Sequence, residues 1–349
     1  MAAVTFADLD SALSVVFENR LARVANRHAL LVSLLTKEAG TGQNLSWDVE
    51  TSAATAATYA EAAAAATAQS DLTVPATLQW GRYRTKFGLT GTALAAAQAS
   101  GNPADLANAI LAKAEGNASK LLSTLNAALY SGSGATDNIH GLNTAIDATT
   151  AYAGIDKGTY TEWAGNVLAN GGVARPLSKD LMDEMEADIF DASGVSPQIV
   201  VASSALCRKY EGLFDSGARY QGGVDLSMLA AMIGVEIPAI PPVMVTSCVG
   251  YYKRMPVFRD INATAGSMYF LNLEEVKFRF LPPPSSSTAS QVSERSLRGN
   301  ERDPASGLMV RLESLAKTTD IDEWEMRIYP QLQVRKPNTC GIIKDLSES

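Results

Sequence analysis

The chain is poor in the side chains that most often carry chemistry. It holds two histidines, His28 and His140, and three cysteines, Cys207, Cys248 and Cys340, all far apart in sequence. No Cys-x-x-Cys pair occurs, so neither a zinc site nor a disulfide framework is expected, and free thiols suit a reducing compartment. A Ser/His/Asp or Cys/His triad would have to use one of those histidines. His28 sits on a basic stretch and His140 precedes Gly141 in a loop, and structural roles are expected for both. A Gly-x-Ser-x-Gly elbow and a Gly-rich dinucleotide turn are both missing. Gly132-Ser-Gly134 is followed by no Lys-Ser/Thr pair and closes a helix, so it does not read as a phosphate loop. Catalytic, metal and cofactor sites are therefore not expected.

Charge is also scarce. The 349 residues carry 29 Lys+Arg against 37 Asp+Glu, a net charge of −8, and charged residues make up 19%. That share lies below the roughly 25% typical of globular chains. A sequence pI near 5.0 excludes a protein built mainly to grip a nucleic-acid backbone, which needs a basic face. No apolar run reaches the roughly 18 residues that span a bilayer. Met1–Arg20 lacks a basic segment followed by an apolar one, so neither membrane insertion nor signal-directed export is expected. With 46% apolar residues the chain has ample material for a core, which excludes wholesale disorder.

Residues 5–37 read as an amphipathic helix, with Leu9, Leu13, Val16, Phe17, Leu21 and Val24 at helical spacing. Asn44–Glu50 alternates like a strand, placing Leu45, Trp47 and Val49 on one face. Eleven alanines then fall within the sixteen residues Ala53–Ala68, interrupted chiefly by Thr, with Tyr59 and Glu61. Leu72–Thr90 resumes strand character, with Leu78, Trp80, Arg82, Arg84 and Lys86 on one face and Thr77 to Phe87 alternating on the other. Two strands around a small-residue insert predict a long hairpin. Because a lone hairpin is marginal in water, it is expected to lean on a neighbouring copy.

Asn102 and Pro103 open a helix with the preferred cap chemistry. It runs over 103–130, about 28 residues and roughly 42 Å, with a stripe of Leu106, Ile110, Ala114, Ala118, Leu121, Leu122, Leu125 and Leu129. From Gly141 to Phe270 helices and strands alternate: helices at Thr161–Ala169, Leu177–Ala192 and Ser203–Phe214, strands at Gln198–Ala202, Ile237–Thr246, Tyr251–Arg259 and Ser267–Asn272. This predicts a compact α/β region. Val276, Phe278 and Phe280 alternate with Lys277 and Arg279. A Pro/Ser/Arg-rich loop over 282–307 separates them from closing strands at 308–315 and 324–334.

That order resembles the HK97-fold major capsid proteins of tailed bacteriophages. Pro256-Val-Phe-Arg-Asp260 followed by Thr264-Ala-Gly-Ser-Met-Tyr-Phe-Leu-Asn272 is similar to a segment recurring in them. So is the ending from Thr319-Asp-Ile-Asp-Glu-Trp324 through Tyr329-Pro-Gln-Leu-Gln-Val-Arg-Lys-Pro-Asn338. The resemblance implies an α+β fold with an N-arm (1–40), an extended E-loop hairpin (41–90), a P-domain with its spine helix (91–145), a compact α/β A-domain (146–272) and a return to the P-domain (273–349). It implies a non-enzymatic shell subunit, self-assembling into hexamers and pentamers of an icosahedral head around double-stranded DNA. The DNA would be contacted weakly and non-specifically, since a net negative wall does not trap a polyanion. Further implied partners are a portal, a separate scaffolding protein, because the arm starts within the first ten residues, and a cement or decoration protein. No lysine lies between Thr41 and Tyr83, so lysine cross-linking of neighbours through the E-loop is not expected. An encapsulin-type nanocompartment shell is the alternative reading.

Candidate inter-subunit contacts are Trp47, Tyr59, Glu61 and Trp80 on the hairpin, Arg82, Arg84 and Lys86 at its base, and Arg295, Arg298 and Arg302 in the long loop. Asp180, Asp183, Glu184, Asp188 and Asp191 form one acidic helix face. A solvated or subunit-facing surface is its expected role, ahead of cation binding or acid/base chemistry. Its like charges four apart predict a basic partner opposite.

Overall fold

A computed structural model describes residues 29–52, 72–92, 95, 103–135, 137–214, 247–281, 311–314 and 320–348. The helices are α1 (Leu30–Leu34), α2 (Pro103–Ser131), α3 (Leu142–Ala145), α4 (Lys179–Ser193) and α5 (Ser204–Phe214). The strands begin with β1 (Thr36–Ala39), β2 (Asn44–Ser52), β3 (Leu72–Gln79), β4 (Tyr83–Thr90), β5 (Asn166–Leu168), β6 (Ile199–Ala202) and β7 (Cys248–Tyr252). They continue with β8 (Met255–Arg259), β9 (Met268–Leu271), β10 (Val276–Phe280), β11 (Arg311–Ser314), β12 (Ile321–Ile328), β13 (Pro330–Val334) and β14 (Gly341–Ile343).

The largest sheet is six-stranded, in the order β5-β14-β9-β6-β8-β7. Its inner strands are buried on both faces, which is why their sequences read as unbroken apolar runs rather than alternations. Val200, Ala202, Val257, Met268, Phe270 and Ile343 point to one core, completed by Met182, Met185 and Ile189 of α4 and Leu206, Cys207 and Tyr210 of α5. Their neighbours Ile199, Val201, Phe258, Tyr269, Leu271 and Ile342 point to a second core. Leu121, Leu122, Leu125 and Leu129 of α2 belong to that second core, with both smaller sheets. These sheets are β1-β10-β13 and β11-β12-β4, and β2 and β3 form a separate ladder. Burial along β10 alternates as its sequence predicts, with Val276, Phe278 and Phe280 inside and Lys277 and Arg279 half-buried.

Several expectations are corrected by tertiary pairing. The helix expected over 5–37 is described only from Ala29, and it ends at Leu34. Thr36–Ala39 is instead a strand, laid parallel to β10 with Thr36 opposite Lys277 and Ala39 opposite Phe280. A ready strand edge outcompetes helical spacing there. Thr161–Ala169 forms a 3-10 turn at Thr161–Trp163 followed by β5, which pairs parallel with β14. Tyr251–Arg259 is not one strand: Lys253 turns with φ 52° between β7 and β8, which pair antiparallel.

Leu72–Thr90 also divides. Ala76, Leu78 and Trp80 are buried on even positions, Phe87 and Leu89 on odd ones, so the inward phase flips across Gly81 and Arg82. The physical cause is a change of partner, because β3 pairs with β2 whereas β4 pairs with β12. Trp324–Val334 splits likewise at Tyr329, since β12 pairs with β4 and β13 with β10. The expected strand at 237–246, the loop at 282–307 and the alanine-rich tip at 53–71 lie outside the described residues.

The described part of the β2–β3 hairpin rests on its own chain, which corrects the expectation that it must lean on a neighbour. Leu45, Trp47 and Val49 stand opposite Leu78, Ala76 and Val74, and all six belong to or pack against the second core. The Thr77 N–H donates to the Ala153 carbonyl at 2.8 Å.

Candidate assembly surfaces

Trp80 follows β3 and is buried, its indole Nε1 donating to the Gly42 carbonyl at 3.1 Å. A Cβ on Gly40 would run into that indole, so glycine is needed there for close approach. Trp47 is half-buried on β2, its ring 6.5 Å from that of Tyr152, and among the described residues its buried Nε1 has no hydrogen-bond partner. Both tryptophans thus serve the seat of the hairpin in this chain. Tyr59, Glu61, Arg295, Arg298 and Arg302 lie outside the described residues.

Arg82, Arg84 and Lys86 come together at exposed positions along β4 and its entry. Arg82 Nε lies 3.3 Å from an Asp137 carboxylate oxygen. Arg84 is 70% exposed, with a guanidinium nitrogen 3.6 Å from Glu325, whose side chain is 2% exposed. Glu325 also accepts from Arg327 at 2.9 Å. Register explains this arrangement. Arg84 stands opposite Arg327 and Lys86 opposite Glu325, so one carboxylate relieves two arginines that would otherwise repel across the ladder. The Arg327 hydrogen bond, above all, holds the Glu325 carboxyl below its ordinary range. On the other face of this sheet Phe87 stacks on its register partner Trp324, centroids 5.5 Å apart.

The acidic helix divides in two. Asp183, with Glu186, faces inward across the layer to the β7–β8 turn: Lys253 Nζ lies 2.8 Å from Asp183, bridges Glu186 as well, and Tyr252 donates its hydroxyl to Asp183. The basic partner predicted for this face is therefore Lys253 of the same chain. Hydrogen bonds from Lys253 and then Tyr252 hold the Asp183 carboxyl below its usual value. Asp180, Glu184, Asp188 and Asp191 face outward and are exposed.

The sequence profile of the family described as SU10 major capsid protein matches residues 4–347. The chain belongs to that family. It is a major capsid protein of the HK97-like fold, a phage shell subunit that self-associates into capsomers and resides in the virion. A search of curated protein sequences finds no match. Solved structures share the architecture of this capsid protein. The capsid asymmetric unit of cyanophage A-1(L) aligns with TM-score 0.67 at 18% identity, covering 91% of this chain and 94% of that one. The capsid of a native GTA particle aligns at 0.55 and 13% identity, covering 93% and 91%. An encapsulin complex of Synechococcus elongatus aligns at 0.50 and 10% identity, covering 92% and 88%. Likeness at these identities speaks to the fold; the family match favours the capsid over the nanocompartment.

Polar groups that sequence patterns do not flag hold the capsid protein's interior together. Asn126 sits on the buried side of α2, where it accepts from the backbone N–H groups of Leu31 and Val32 at 3.1 and 3.3 Å. Its amide donates to Asp260, which also accepts the Tyr130 hydroxyl at 2.8 Å. Burial, with the Asp260 charge, drives the Tyr130 phenol far up. Lys157 is buried beneath the end of α3, donating to the carbonyls of Thr144, Ala145 and Asp147. Burial lowers its ammonium to about 8 despite Asp147 nearby. His140 is half-buried, edge-on to Tyr152 at 5.7 Å, its titration pushed down by burial. Among the described residues no group of three or more His, Cys, Asp or Glu is placed to hold a metal. Among them also, no helix is long and apolar enough to cross a membrane.

Proposed function

We propose that this major capsid protein builds an icosahedral head of hexamers and pentamers around packaged double-stranded DNA, and that it does so by symmetric contact alone, without catalysis. The 1–40 arm, the 41–90 E-loop, the 91–145 and 273–349 P-domain and the 146–272 A-domain are the units of this reading. The observation that carries it is the contrast within the hairpin. Its base is anchored in the subunit, whereas the alanine-rich stretch Ala53–Ala68 offers little side-chain volume for a core of its own. That tip, with Tyr59 and Glu61, reaches over the adjacent copy. Arg82, Arg84 and Lys86 meet the neighbour at the hairpin base, and Arg295, Arg298 and Arg302 contribute from the long loop. Many individually weak contacts suit such a shell, because misplaced subunits can leave before closure.

The net charge of −8 fits a wall past which DNA slides, held weakly and without sequence preference. A scaffolding protein as a separate chain, a portal at one vertex and a cement protein complete the reading. Negative-stain micrographs of the purified full chain test it. Uniform polyhedral shells are expected; small discrete oligomers at every concentration would overturn it.

A further inference from the structure

Among the described strands β14 comes last in sequence, yet it lies inside the six-stranded sheet, between β5 and β9. It runs parallel to β5 and antiparallel to β9, so Ile342 stands opposite Val167 on one side and Tyr269 on the other. Its segment serves both cores. Ile343 and Leu346 belong to the first, Cys340 and Ile342 to the second, and all four are buried. A Cβ on Gly341 would strike Met185 and Ile189 of α4, so only glycine lets the strand fit under that helix. Near the end of the same helix the Ala192 carbonyl accepts from Asn338 at 3.4 Å.

Residues 166–175 are held by this segment. Asn166 donates its backbone N–H to the Cys340 carbonyl and its side-chain amide to the carbonyls of Asn338 and Cys340. The Leu168 carbonyl accepts the Lys344 N–H, while Arg175 gives its own N–H to the Asp345 carbonyl and accepts that of Ser347. The Asp345 carboxylate accepts the N–H groups of Asn170 and Gly172 at 2.7 and 3.0 Å. Among the described residues, no hydrogen bond ties 166–175 to the rest of the subunit except through 338–347. The segment is fastened in turn beside β9. Leu346 donates to the Gly266 carbonyl at 2.9 Å, and Glu348 accepts the Gly266 N–H and the Ser203 hydroxyl at the start of α5. Strands β6, β7, β8 and β9, by contrast, pair among themselves within residues 199–271.

We propose that segment 338–348 is a clasp that closes last and, by closing, readies the subunit for ordered self-association. The β9-β6-β8-β7 sheet forms first, because its partners lie nearer in sequence than Asn166 and Cys340, which are 174 residues apart. Until the clasp closes, Lys253 tethers α4 by its N-terminal half. The clasp then enters beside β9 and brings β5, residues 169–175 and the C-terminal half of α4 onto the body. Before closure the edges of β5 and β9 are bare rows of backbone N–H and C=O groups, open to any strand of another copy. Closure covers both edges at once. The order of closure rests on these hydrogen bonds; its link to assembly rests on the capsid reading.

The test is pulsed hydrogen exchange, read by mass spectrometry, as the full chain refolds from urea. Amides in 199–202 and 255–259 should gain protection first. Those in 166–175 and 341–346 should follow together, and shells should appear in electron micrographs only after that second phase. Gly341→Val is expected to slow the second phase roughly tenfold or more and to leave the first within about twofold. A variant that never completes the second phase is the extreme of that slowing. Native-state exchange of the parent in mild urea needs no variant: 166–175 and 341–346 should open together, at less urea than 199–202. Protection of all four segments in one phase would overturn the inference, as would 341–346 closing without 166–175 or shells that form during the first phase. A parent that passes through both phases and stays monomeric would instead take down the capsid reading and leave the order of closure standing.

Discussion

Asn126 and Asp260, 134 residues apart in the chain, meet inside the protein, where the amide nitrogen of the first donates to both carboxylate oxygens of the second at 3.1 and 2.9 Å. The opposite end of the same amide accepts two backbone N–H groups from α1. One side chain on α2 therefore ties the start of the described chain to the loop after β8. That arrangement satisfies a buried carboxylate with neutral donors, the Tyr130 hydroxyl and the Asn262 N–H among them.

Asn126→Leu keeps the branched shape and removes the four hydrogen bonds of the Asn126 side chain. It leaves a buried carboxylate short of donors and two buried N–H groups without an acceptor, which costs about 2–4 kcal/mol. Urea unfolding of the subunit should show the midpoint falling with the slope unchanged. A loss within error of zero would mean that the network does not stabilise the fold.

Gly40→Ala should destabilise the seat of the hairpin by about 1–3 kcal/mol, because the new methyl group meets the Trp80 indole. Trp80→Leu opens space at the same place. A double-mutant cycle in thermal unfolding should show the combined variant losing less than the sum of the single losses. Strict additivity would place the cost of alanine elsewhere, in backbone conformation.

The acid limb of stability should depend on Asp183. Its folded carboxyl titrates below the ordinary aspartate value of about 3.9, so the unfolded chain binds the proton first as pH falls. The stabilisation is complete above that ordinary value and is lost as pH drops through the folded one. Asp183→Asn removes this contribution. Unfolding midpoints measured from pH 6 down to pH 3 should therefore converge for the two proteins at the acid end, and curves that stay parallel would contradict the Lys253 clamp.

Thiol chemistry should report the fold directly. Burial pushes the Cys207 thiol up to about 12 and those of Cys248 and Cys340 to about 11. Cys207 and Cys340 are buried and Cys248 intermediate. A thiol-disulfide reagent at pH 8 should react slowly with the folded chain, first at Cys248, and with all three once the chain is unfolded. Fast labelling of Cys340 in folded protein would show that its site opens.

Reversal at the hairpin base, Arg82→Glu with Arg84→Glu, should abolish closed shells while the subunit still folds. Part of the effect would be internal, since Arg84 neutralises Glu325 and Arg82 pairs with Asp137. The exposed Arg82–Asp137 pair contributes only about 0–1 kcal/mol, whereas Arg84→Glu sets a second carboxylate beside the buried Glu325, so the unfolding midpoint should fall while the subunit still folds. Normal particles from the reversed chain would remove these residues from the contact set.

Elements whose burial is one-sided, or whose ends carry their own signals, are legible in the amino-acid order alone. The alternation of β10, the Leu45-Trp47-Val49 face of β2, the apolar run of β6 and the Ser203 start of α5 are such cases, and with the order of segments they were enough to place the family. Where a segment changes partner emerges only on folding, because a ladder's partner is supplied by distant chain. Thus 36–39 became a strand on β10 rather than the end of a helix, and 72–90 divided where one sheet hands over to another. Folding also decides which charges are answered inside the subunit. The sequence shows six acids along one helix, but folding brings Lys253 to Asp183 and Glu186 and leaves the outer carboxylates facing outward, because charge pairing depends on distances in space that spacing along a chain does not set.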